Sequence, residues 1–160
     1  MYTLATHKTA FAALFVASVL SARPVQAQYT GYTGPDGKLR VALARQPFSP
    51  TGTSRGPETM ASGGIQDTLA RLGAIVRTNE ARLTADEDTE YGGWKRLGMA
   101  LGHFGDIVAT NERDGWFTGG LLTTCPSMPG LVAGLQRSGA TGKPLRIGML
   151  WLDAHPDFNT

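Results

Sequence analysis

Leu145-Arg146-Ile147-Gly148-Met149-Leu150-Trp151-Leu152-Asp153-Ala154-His155-Pro156-Asp157 is the stretch that decides the fold. Its first eight residues are almost wholly apolar, as a β-strand covered on both faces must be. Such a strand belongs to a parallel sheet with helices packed on it. In these sheets function gathers at the carboxyl ends of the strands, and that is where Asp153 falls. In extended geometry alternate side chains point the same way, so positions 153, 155 and 157 can converge on one locus. Two carboxylates and an imidazole there suit divalent ions such as Mn²⁺, Zn²⁺ or Fe²⁺. Two such ions sharing a hydroxide would lower its pKa and orient it.

Upstream, the elements alternate. Leu39-Arg40-Val41-Ala42-Leu43-Ala44 reads as a first strand, followed by a loop rich in Pro and Gly over residues 47–56. Pro57 suits the first turn of a helix, where its missing N–H is no loss. Met60, Ile65, Leu69 and Leu72 then repeat at helical spacing up to Gly73, a stop signal. Ala74-Ile75-Val76-Arg77 is a second strand. A long helical pattern runs through Trp94, Leu97, Leu101, Phe104, Ile107 and Val108. The acids Asp86-Glu87-Asp88-Thr89-Glu90 precede it and read as a solvated cap favoured by the helix dipole. A strand from Trp116 to Leu122 and a helix over residues 127–135 complete a βαβαβαβ order, which implies an α/β fold with a parallel sheet.

The first 27 residues have the plan of a cleaved secretory signal. Lys8 precedes an apolar run of eleven (residues 10–20) that is too short to span a bilayer, and Val25-Gln26-Ala27 supplies a small-residue cleavage site. A buried helix of the mature domain is the other reading of that run. The expected organisation is therefore a signal peptide (1–27), a flexible lead (28–37) and a domain (38–160), with the protein exported to the periplasm or secreted. Removing 1–27 takes away Lys8 and Arg23 and no acid. Thirteen residues of each sign remain, and the basic pI of 8.9 is partly a property of the leader. Neither a nucleic-acid partner nor a membrane partner for the mature form is implied. With 41% hydrophobic and 18% charged residues the composition is that of a globular protein rather than a disordered one. A single cysteine, Cys125, excludes an internal disulfide.

Leu150-Trp151-Leu152-Asp153-Ala154-His155-Pro156-Asp157-Phe158-Asn159-Thr160 resembles the D-A-H-x-D-x-N-T motif of the ureohydrolase family, the arginases, agmatinases and formiminoglutamases. Pro47-Phe48-Ser49 and Gly56-Pro57-Glu58 are similar to that family's first loop and first helix. The segment 117–135 resembles its glycine-rich metal loop, so the likeness covers residues 38–160. It implies an arginase/deacetylase-like fold, a three-layer α/β/α sandwich with a parallel sheet. It also implies a Mn²⁺ pair and hydrolysis of a C–N bond in a small guanidino or amidino substrate. Carried over by position, Asp153 would bridge both metals, His155 would bind one, and Asp157 would bind the other and handle a proton. Asn159 would contact the polar end of the substrate. Phe158-Asn159-Thr160 favours this family over the deacetylases that share its fold. A homo-oligomer is compatible with the resemblance.

Two departures stand out. The family's upstream loop reads G-G-D-H, and its metal-binding histidine falls on Cys125 here. A thiolate ligand would favour Zn²⁺ or Fe²⁺ over Mn²⁺; a small buried thiol is the alternative role. The family also supplies a D-x-D pair from a later strand, and Asp86, Asp88, Asp106 and Asp114 are poor replacements. The expectation is an incomplete, N-terminal part of such a domain, inactive alone. A non-catalytic exported protein on a degenerate ureohydrolase scaffold is the competing expectation. His103 reads as a helix-face or core histidine, and Trp94 and Trp116 as packing residues.

Overall fold

The computed structural model describes residues 30–139 and Ile147. Residues 1–29, most of the apolar run 145–152, and the string 153–160 with Asp153, His155, Asp157 and Asn159 lie outside the described residues.

Strand β1 (Arg40–Gln46) owes its place to Val41-Ala42-Leu43-Ala44, four successive buried residues. Only a strand covered on both faces can bury such a run. It is central: β4 (Ile75–Glu80) and β5 (Phe117–Leu122) flank it, both parallel, in the order β4-β1-β5. Val41 pairs with Val76 on one side and with Phe117 on the other. The α/β parallel-sheet expectation holds at this level.

Alternate residues of β1 face opposite ways, and each set meets helical side chains. Val41 and Leu43 pack with Leu69 and Ile65, while Ala44 packs with Phe104 and Val108. Leu69 belongs to α2 (Gln66–Arg71), and Phe104 and Val108 to α4 (Gly93–Arg113). The buried face of α4 carries Leu97, Ala100, Phe104 and Val108, at the three- and four-residue spacing of one helical stripe. No helix of the described residues is long and apolar enough to cross a membrane.

Three local features differ from the sequence expectation. The loop after β1 contains a small antiparallel hairpin of β2 (Phe48–Ser49) and β3 (Gly52–Thr53), because Phe48 buries itself with Leu97 and Ala100 and pins the turn to α4. The helix expected from Pro57 to Leu72 is broken. α1 (Gly56–Met60) passes through a wide turn at Ala61–Ile65 before α2, and Gly64 there has φ 98°, which glycine adopts at little cost. The acidic stretch does not cap α4. It forms its own short helix, α3 (Ala85–Asp88), closed by a capping box between Thr84 and Glu87. Gly92 starts α4 instead, and Gly93 sits so close to the Pro50 carbonyl that any side chain there would strike the backbone.

Helix α5 (Met128–Arg137) follows β5 and lies along α4. The two helices approach closely because glycines line the contact. A Cβ on Gly134 would come 2.5 Å from Val108 Cβ and 2.6 Å from the Gly105 carbonyl. Gly134→Ala must therefore push the helices apart, and such overpacking costs about 1–3 kcal/mol. A fall in the denaturant midpoint with unchanged slope would check this, and an unchanged midpoint would show that the seam is looser than described.

Candidate functional site

The carboxyl edge of the sheet is where a parallel α/β fold gathers chemistry. Strand β1 reaches it at Gln46 and β5 at Leu122, and the two residues are register partners. Gln46 is fully buried although polar, so its groups must be satisfied. Its Nε2 donates to the Phe48 carbonyl at 2.8 Å, and its own carbonyl accepts from Thr123 Oγ1 at 2.7 Å. Ser127, also fully buried, donates from Oγ to Gln46 Oε1 at 3.4 Å and lies 3.2 Å from Thr124 Oγ1. These bonds tie the loop Thr123-Thr124-Cys125-Pro126-Ser127 to the end of the central strand.

Cys125 opens the 3-10 turn Cys125–Ser127 that leads into α5, and its side chain is exposed. The buried-thiol alternative is therefore set aside: the loop's anchors are Thr123 and Ser127, and Cys125 is exposed. Among the described residues no group of three or more His, Cys, Asp or Glu could hold one. Asp153, His155, Asp157 and Asn159 lie outside the described residues.

Several of the remaining polar residues have structural partners. At the carboxyl ends of β1 and β4, Glu80 is clamped by Arg45 at 2.9 Å and Arg82 at 2.7 Å. Asp106 pairs with Arg137 at 3.0 Å, and Asp114 with Arg77 at 3.3 Å. Trp116 packs as expected, with the Arg77 guanidinium 4.3 Å from its ring centroid. Trp94 does not. It is the second residue of α4, the buried stripe begins only at Leu97, and it stays 67% exposed beside the fully exposed Tyr91.

His103 sits on α4 with Nε2 2.8 Å from Glu87 Oε2, a helix-face pairing that matches the sequence expectation. The Glu87 carboxylate accepts first from the Thr84 backbone N–H and then from His103, and both hold its pKa below the ordinary glutamate value. A group whose pKa is lowered by folding stabilises the native state above its unfolded pKa. That contribution is lost as pH falls through the lowered folded value. Glu87→Gln is thus expected to flatten the acid limb of the stability profile and leave the neutral region parallel to wild type. Thermal melts across the acid range check it, and identical acid limbs would contradict it.

Gln46, Thr123 and Ser127 were not singled out from the sequence. The one available signal was a glutamine at the end of the apolar strand Arg40-Val41-Ala42-Leu43-Ala44-Arg45-Gln46. The chain matches no protein-family model, no curated protein and no solved structure.

Proposed function

We propose that this chain carries part of a metal-dependent hydrolase site for a guanidine or amidine C–N bond, in an exported protein of ureohydrolase type. The observation that carries the reading is Asp153-x-His155-x-Asp157 immediately after the apolar run 145–152. The parallel order β4-β1-β5 supports it, as does an exposed Cys125 on a loop anchored at the carboxyl edge. Helical side chains against oppositely facing residues of β1 support the finer fold, a three-layer α/β/α sandwich.

The donor set fits divalent metal chemistry. Carboxylate and imidazole suit Mn²⁺, Zn²⁺ and Fe²⁺, and the thiolate of Cys125 tilts the set toward Zn²⁺ or Fe²⁺. When bound, the ions would supply a hydroxide that is nucleophilic at neutral pH. Asp153, His155, Asp157 and Cys125 would hold the ions, with Asp153 serving both. Asp157 also takes the proton released on attack at the trigonal guanidinium carbon. Asn159 orients the polar end of the substrate. Gln46, Thr123 and Ser127 position the Cys125 loop.

Four ligand side chains do not fill two coordination spheres. The 160-residue chain is therefore expected to retain metal yet release little or no urea from guanidino substrates. Cys125→His is expected to move its preference from Zn²⁺ toward Mn²⁺. Competition dialysis and a urea assay test both. Brisk Mn²⁺-dependent turnover by the unmodified chain, or an unchanged preference in Cys125→His, would contradict the assignment.

A further inference from the structure

At the opposite, amino edge of the sheet, two guanidiniums converge on one indole. Arg40 opens β1, Arg77 is the third residue of β4, and Trp116 immediately precedes β5. Arg77 Cζ lies 4.3 Å and Arg40 Cζ 5.7 Å from the Trp116 ring centroid. Bringing two like charges together on one face is unfavourable unless something negative offsets them. Arg77 is offset, since its Nη2 reaches Asn111 Oδ1 at 2.6 Å and Asp114 Oδ2 at 3.3 Å. The other carboxylate on that face, Glu112, is taken by the Tyr32 hydroxyl and by Thr118 Oγ1 at 3.1 Å. Among the described residues Arg40 has no carboxylate within 4 Å.

The unpartnered polar atoms here are of one kind. Arg40 Nε, Arg77 Nε and Asn111 Nδ2 are buried with no hydrogen-bond partner, and Asn111 is only 1% exposed. All three are donors. The uncompensated Arg40 guanidinium, whose Nη groups are neither buried nor hydrogen-bonded among the described residues, is complementary to an acceptor-only ligand carrying negative charge, and the buried donors around it add to the positive potential there. We propose that the Arg40–Trp116–Arg77 cluster binds a small oxyanion, a carboxylate or phosphate group seated beside Arg40. Gly34 is part of the site's shape. It lies against the Arg40 guanidinium, where any Cβ would collide with that side chain. The turn holding it is fixed by the Thr33–Leu39 bridge and by Gly34 N–H donating to the Lys38 carbonyl at 3.0 Å. This site is independent of the metal reading, since it sits at the other end of the strands.

The test is ³¹P NMR of inorganic phosphate with the full chain, at constant ionic strength set by chloride. Wild type is expected to broaden the resonance saturably, with acetate competing. Arg40→Gln should weaken phosphate binding roughly tenfold or more, the loss expected for a charged hydrogen-bond donor. Arg71→Gln, which removes the same charge from α2, should leave it unchanged. Gly34→Ala keeps every charge and has no positive-φ barrier to the new side chain, so it should weaken binding by displacing the guanidinium. It also preserves the test if Arg40→Gln fails to fold. No saturable broadening in wild type, equal losses in Arg40→Gln and Arg71→Gln, or unaltered binding in Gly34→Ala would each overturn the proposal.

Discussion

Phe104→Ala is expected to cost about 3–5 kcal/mol, the largest stability loss of any single side-chain truncation in the described residues. Phe104 is fully buried and packs with Ala44, Ala81 and Val108, with Leu122, Leu131 and Leu135 around them. From α4 it therefore reaches β1, β5 and α5 at once. Ala44, Ala81, Gly120 and Gly130 around it are too small to collapse into the space it leaves. Ala44 lies on one side, and a Cβ on Gly120 would come 3.4 Å from the ring edge. Two glycines of the surrounding elements, Gly120 and Gly130, are the positions where the ring replaces missing side chains. Against a typical domain stability of about 5–15 kcal/mol, this loss would leave a marginal protein. Chemical denaturation of the variant measures it, and a loss below about 1 kcal/mol would mean the ring is not the centre of this core.

The second large effect concerns chemistry rather than packing. On the proposed reading Asp153 would serve both ions, so its removal would strike both together. Replacing even a residue that only orients a ligand costs about 10–100-fold in metal affinity. Loss of the bridging carboxylate in Asp153→Asn should exceed that. The amide keeps the size of the side chain and removes the charge. A folded variant without metal would separate the ligand role from a structural one. Near-wild-type circular dichroism together with lost metal is the expected pair of results, and lost metal accompanied by lost fold would not support a ligand role.

The elements that could be read from the sequence were those with a strong apolar period. Strand β1 was legible because four consecutive buried residues leave no amphipathic alternative, and α4 because Leu97, Phe104 and Val108 recur on one stripe. What was missed depended on single contacts made far along the chain. The hairpin at Phe48 exists because Leu97 and Ala100 cover that ring, forty-nine or more positions away. The break at Gly64 and the fresh start at Gly92 are backbone choices that glycine permits but does not announce. α3 is set by a reciprocal Thr84–Glu87 cap, and the local pattern Thr-x-x-Glu could have revealed it.

The site divides in the same way. The proposed ligands Asp153, His155 and Asp157 are legible as residue types at a spacing. The anchoring of Cys125 was not, because it runs through Gln46 and Ser127, residues 81 positions apart. Neither carries a signal until the strand and the loop are side by side. The guanidinium pair at the amino edge was hidden for the same reason. Arg40 and Arg77 lie 37 positions apart, and only the folded chain brings both to the Trp116 ring.

Metal retention tests the central claim most directly. The purified 160-residue chain would be stripped, dialysed separately against Mn²⁺, Zn²⁺ and Fe²⁺, and desalted, with bound metal counted by elemental analysis beside Asp153→Asn and His155→Ala. Wild type is expected to keep metal that both variants lose while remaining folded. A wild-type chain that keeps none, or variants that keep as much as wild type, would contradict a metal site built on Asp153, His155 and Asp157.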